Sequence, residues 1–133
     1  MSLTDYGDRS ILRTIARRAM IEKGLVPDFP QEVITELAGI KMPAVTNGEM
    51  VRDLRDVLWA SIDNDDTRDI DQLTAAQAMP GDSVKIFVAV ADVDALVKKR
   101  SAIDDHARRN ATSVYTAAET FPMLPEKLST NLT

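Results

Sequence analysis

The chain has 133 residues, 44% of them hydrophobic and 28% charged, with a net charge of −5; this is ordinary globular composition and argues against a disordered chain. It has no cysteine and a single histidine, which excludes a disulfide framework, a thiolate metal site and a poly-histidine zinc site. No run reaches the length that crosses a bilayer and the N-terminus lacks an apolar signal core, so the expectation is a cytoplasmic monomer with no membrane partner.

Taken in order, the chain opens with an amphipathic helix, begun by Asp8 as N-cap and ended by Gly24. Ile11, Leu12, Ile15, Ala19 and Met20 recur at helical spacing, and Arg9, Arg13 and Arg17 run down another face. A second helix starts at Phe29-Pro30-Gln31, with proline in its first turn, and ends at Gly39. Pro43 to Gly48 reads as a loop. The boundary falls there, between a helical lead-in (1–48) and the body of the chain (49–133).

In the body, Val57 to Ile62 is expected to be a strand, and Leu73 to Met79 a weaker one. Pro80-Gly81-Asp82 makes a turn into the run Val84 to Ala91. That run is nearly continuous and β-branched, as in a strand buried on both faces. Asp92 either assists an acidic site or caps the next helix. Two short helices follow, Asp94 to Lys99 and Ser101 to Asn110, the second with Ser101 and Asp104 in capping-box spacing. His106, among charged neighbours, reads as a surface helix residue with no catalytic role. Thr112 to Tyr115 reads as a short strand, and Phe121 to Ser129 as a turn and one helical turn. The fold class is α+β, or mixed α/β.

The stretch that organises the chain is Trp59 to Leu73, where Asp63, Asp65, Asp66, Asp69 and Asp71 lie close together after a short apolar run. So many carboxylates repel one another unless solvent or a cation intervenes. A hard divalent ion such as magnesium takes oxygen ligands and implies a phosphate-bearing substrate; the alternative is a solvated acidic loop. An EF-hand calcium loop fails, since Arg68 stands where its glycine belongs and Thr74 where its glutamate belongs. Charge is also uneven along the chain. Eight acids face three arginines from Glu49 to Asp71, while Arg9–Lys23 and Lys98–Arg109 each hold five bases. Basic flanks around an acidic centre suit a polyanion, although solvated helix faces explain each cluster separately.

Four segments in order carry a resemblance. They are Asp53-Leu54-Arg55-Asp56; Ser61-Ile62-Asp63 with Asp69-Ile70-Asp71; Val88-Ala89-Val90-Ala91-Asp92-Val93; and Thr112-Ser113-Val114-Tyr115 with Pro122-Met123-Leu124-Pro125 and Leu128-Ser129. Together they resemble the start of the catalytic domain of the ribonuclease II/R family of 3′-to-5′ exoribonucleases, over roughly residues 29 to 133. The resemblance ends mid-motif, so the larger part of that domain is expected to lie outside this chain.

The resemblance implies magnesium-dependent hydrolysis of single-stranded RNA to nucleoside 5′-monophosphates. By position, Asp63, Asp69 and Asp71 fall on three of the family's four signature aspartates, with Asp69 and Asp71 catalytic, and Tyr115 falls on its base-stacking tyrosine. Gln72 stands where the fourth aspartate is expected. Its amide oxygen still ligates a hard cation but carries no charge, so weaker metal affinity is expected unless Asp65 or Asp66 substitutes. A relative that binds RNA without cutting it is the alternative, and this segment by itself is expected to be inactive.

Overall fold

The computed structural model describes residues 3–45, 51–65, 67 and 70–132. Helices and two small antiparallel sheets make an α+β chain that divides into two compact units. One comprises 1–41 and 97–126; the other comprises 42–96 and 127–133.

In the first unit, helix α1 runs Leu3–Glu22. Asp8 lies inside it, not at its cap. Its C-terminus closes as the sequence implies: Gly24 takes φ +78°, Gly24 N–H bonds Ile21 O at 2.9 Å and Leu25 N–H bonds Met20 O at 2.9 Å. This is a Schellman closure, and glycine supplies the left-handed residue that it needs. The basic face of α1 is partly spent on internal pairs, Arg13 with Glu119 at 3.4 Å and Arg17 with Asp28 and Glu119.

Helix α2, Gln31–Gly39, begins after Pro30 as N-cap. Helix α3, Ala102–Asn110, packs on it. Ser101 caps α3 by accepting from Asp104 N–H at 3.4 Å, while Asp104 reaches back one residue further than a capping box does, to Arg100 N–H at 2.6 Å. Glu36 Oε2 ties the two helices by accepting from Ile103 N–H at 3.0 Å. Asn110 joins α3 to the loop before α2, its Oδ1 accepting from Val26 N–H and its Nδ2 donating to Val26 O, both at 2.9 Å.

Met20, Val33, Val97, Ile103, Ala118 and Phe121 form the buried core of this unit. His106 is buried with them, against expectation. It lies three residues after Ile103 and four before Asn110, so all three share the inward face of α3, and its ring meets that of Phe29 at 4.6 Å with the planes tilted by 48°. The hairpin of β3 (Val114–Tyr115) and β4 (Thr120–Phe121) completes the unit.

The second unit is built on an antiparallel hairpin of β1 (Gln72–Met79) and β2 (Ser83–Val90), in register from Gln72 opposite Val90 to Met79 opposite Ser83. Gly81 at φ +73° and Asp82 at φ +56° turn the chain between them, residue types that tolerate positive φ. β2 is not buried on both faces: Val84, Ile86, Val88 and Val90 are all exposed, because the sheet has two strands and period-2 alternation gives it one covered face. On the other face Ala75 is buried and Leu73, Phe87 and Ala89 are half-buried.

The expected strand from Val57 to Ile62 is replaced by irregular chain that touches the hairpin at one bridge, Ala60 opposite Thr74. Tight turns compete with extension before it, with Val57 N–H bonding Leu54 O and Trp59 N–H bonding Val57 O. In place of the expected helix from Asp94 to Lys99 there is a single 3-10 turn, Val93–Ala95, and Leu128–Leu132 forms a wide π-type turn.

Candidate active site

Trp59 anchors the acidic stretch. Its indole Nε1–H donates to Leu54 O at 2.9 Å, which closes the preceding turn, and its ring meets the edge of Phe87 on β2 at 6.4 Å and 77°. The bridge at Ala60 then holds the chain against β1 immediately before Ser61-Ile62-Asp63, with N–H to O distances of 2.9 and 2.8 Å to and from Thr74. Asp63 follows in an exposed loop.

The Asp71 carbonyl accepts from Ala91 N–H at 2.8 Å and extends the hairpin by one bond. Gln72 opens β1. Neither the carboxylates of Asp63 and Asp71 nor the amide of Gln72 has a hydrogen bond or ion pair to a described side chain, and all three residues are exposed.

Asp69 and Asp66 lie outside the described residues. Among the described residues no three histidine, cysteine or carboxylate groups are gathered for a metal. Asp92 resolves to the capping role: its Oδ1 accepts from Ala95 N–H at 3.2 Å. Tyr115 belongs to the first unit, in β3 opposite Thr120, with 71% of its surface exposed.

Upstream, Asp53 and Arg55 form a bidentate exposed pair, with Arg55 Nε donating to Oδ1 at 2.9 Å and Nη2 to Oδ2 at 2.5 Å. The guanidinium and the Arg55 N–H together hold the Asp53 carboxyl down at about 2. Neither this pair nor the Trp59 anchor was assigned a role in the sequence, where the aspartates stood out by type and spacing while an indole's partner is set by the fold.

The RNB domain family matches residues 51–133, a span that begins just before the Asp53 pair and includes the acidic stretch, the hairpin and β3–β4. The chain belongs to the RNB domain family.

Among its relatives, the Ribonuclease R of Escherichia coli is 37% identical over 105 residues, which is 78% of this chain and 13% of that protein. The Ribonuclease R of Thermotoga maritima is 38% identical over 135 residues, 98% of this chain and 18% of that protein. The solved structure of Mycoplasma genitalium RNase R in complex with double-stranded RNA superposes with a TM-score of 0.69 at 26% identity, over 83% of this chain and 20% of that one. The chain thus spans less than a fifth of the length of these two curated relatives.

Proposed function

We propose that the protein is a 3′-to-5′ exoribonuclease that hydrolyses single-stranded RNA to nucleoside 5′-monophosphates at the aspartate stretch, with magnesium as cofactor. The observation that carries this reading is the RNB family match over residues 51–133, which contains all the candidate site residues. RNA as ligand is supported by solved RNases R of Mycoplasma genitalium bound to single-stranded and to double-stranded RNA.

The donor set fits a hard divalent cation. Asp63 and Asp71 offer carboxylate oxygens and Gln72 an amide oxygen, all exposed and uncommitted to described neighbours, and oxygen donors are what magnesium takes. Asp63, Asp69, Asp71 and Gln72 would hold it. When bound, such an ion supplies Lewis-acid activation of water and offsets charge at the scissile phosphate.

The residues of this chain have separate tasks. Asp71 is carried at the start of β1, where its own backbone bond to Ala91 limits the travel of the carboxylate. Asp63 is carried on the loop that Trp59 and the Ala60 bridge tether to the hairpin. Gln72 leaves the site one negative charge short, which weakens cation binding unless Asp65 or Asp66 compensates. Tyr115 offers an exposed ring on which a base stacks, as aromatic side chains do on single strands.

Residues 49–133 are then the N-terminal portion of the catalytic domain and 1–48 its lead-in, in a protein that works in the cytoplasm as a monomer. Gln72 also favours a second reading, an RNB relative that binds RNA with little or no turnover.

The test uses the complete protein and single-stranded RNA labelled at either end. With magnesium present, the 3′ label is expected to leave as a mononucleotide from the first moments, while the 5′-labelled strand shortens progressively; a chelator stops both. Internal cuts, loss from the 5′ end, or release indifferent to the chelator contradicts the proposal.

A further inference from the structure

Charge divides unevenly between the two units. The first carries eleven lysines and arginines against ten acids and the second five against eleven, so the net negative charge of the chain sits in the unit that contains the aspartate stretch. In the first unit most acids are already engaged. Glu22, Asp28, Asp105 and Glu119 are in ion pairs, and Glu36 and Asp104 accept from backbone N–H groups.

Three of that unit's bases are concentrated in one turn, Lys98-Lys99-Arg100, mounted between the buried Val97 and the start of α3. Ser101 N–H bonds Lys98 O at 2.9 Å, and Arg100 N–H bonds Asp104 Oδ2 at 2.6 Å. The backbone of the turn is therefore closed at both ends. The three side chains are exposed, and none has an ion pair with a described residue. Asp104, the nearest acid in the chain, spends its carboxylate on the backbone of Arg100 and leaves the guanidinium free.

Arg100 itself stands at φ +66°. Glycine takes this left-handed region without penalty, whereas an arginine there costs stability. Folding alone favours glycine at this position, and residues kept in such conformations concentrate where a side chain serves binding. The turn lies in the same unit as Tyr115. It precedes α3 and β3 follows that helix, whose nine residues span roughly 13 Å, a distance that a short run of single strand covers.

We propose that Lys98, Lys99 and Arg100 form a contact for the phosphate backbone of single-stranded RNA, on the strand that reaches Tyr115. This rests on the reading of the protein as an RNA nuclease and adds a second point of grip outside the aspartate stretch. Contacts of this kind set affinity and register and carry no base preference.

The test measures binding of fluorescein-labelled single-stranded RNA to the complete protein by anisotropy, in chelator to prevent turnover and over a series of salt concentrations. Neutralising each phosphate contact on a single strand contributes about 0.7 to the salt slope. Combined Lys98→Gln, Lys99→Gln and Arg100→Gln should therefore make the slope shallower by about 2 and weaken binding about a hundredfold at 0.1 M salt, equally for oligo(U) and oligo(A). A control with the same charge loss in the same unit, Arg9→Gln, Lys23→Gln and Lys41→Gln, should keep the original slope. Arg100→Gly should bind RNA more weakly and yet unfold at a higher temperature, a pairing that a structural role for the arginine does not produce. An unchanged slope in the triple variant, an equal loss in the control, or Arg100→Gly with full affinity would overturn the proposal and leave the nuclease reading standing. Displacement of the RNA by polyglutamate at equal charge concentration would also overturn it, in favour of an acidic protein partner. If the original protein binds no RNA, both readings fall.

Discussion

A single residue, Arg55, holds the Asp53 carboxylate through its side chain and its backbone N–H. The carboxyl is thereby lowered from an ordinary 3.8 to about 2. A carboxyl lowered on folding contributes stability that is present above its unfolded pKa and fades as pH falls from about 3.8 towards 2. Both partners are exposed, so the energy is small; the readout is the carboxyl carbon shift, which should titrate near 2 and return close to 3.8 in Arg55→Ala. His106 acts in the opposite range. Its pKa is lowered by burial, so the folded state resists protonation and stability falls as pH drops below the unfolded value of 6.5. Urea unfolding at descending pH should show that loss, and His106→Phe should remove it. Sequence alone singles out the aspartates and Gln72, because residue type and spacing mark them. It misread His106, whose sequence neighbours are charged; the available signal was its position on one helix face with Ile103 and Asn110.

Elements whose ends are set by local chemistry were legible. Gly24, Ser101 and the Pro80-Gly81-Asp82 turn stop, start or reverse the chain where the residues say they should, and β1 and β2 fall on the two strand-like runs on either side of that turn. Val57 to Ile62 was not legible, since an apolar run has strand propensity but pairing decides whether a strand forms. Here turns at Leu54–Val57 and Val57–Trp59 leave room for one bridge. The cap of α3 gives two opposed predictions. Ser101→Ala should destabilise the first unit by about 1 kcal/mol through loss of the Asp104 N–H bond. Ala111, which closes the same helix at φ +58°, carries a left-handed backbone that glycine adopts without penalty. Ala111→Gly should therefore raise the thermal midpoint, by roughly 1 kcal/mol of stability. An unchanged or lower midpoint would contradict the strain assigned to that residue.

At the scale of the whole chain, the apolar stripe of Val84, Ile86, Val88 and Val90 lies in water. Its sequence reads as a doubly buried strand, and its burial depends on what else packs on the sheet, which local pattern does not encode. In this chain Val88→Thr should change stability by less than about 0.5 kcal/mol, measurable by chemical unfolding. The α+β class and the RNB membership were both readable before any coordinates, because four short motifs in fixed order specify more than any one of them. The chemistry attached to that membership rests on the aspartate stretch. The most direct test compares the complete protein with its Asp71→Asn variant for magnesium-dependent mononucleotide release and for RNA affinity. The account predicts that release is lost while affinity is retained. Equal release from both forms would contradict it, and RNA binding with no release from either would make the protein a binding relative short of one carboxylate at Gln72.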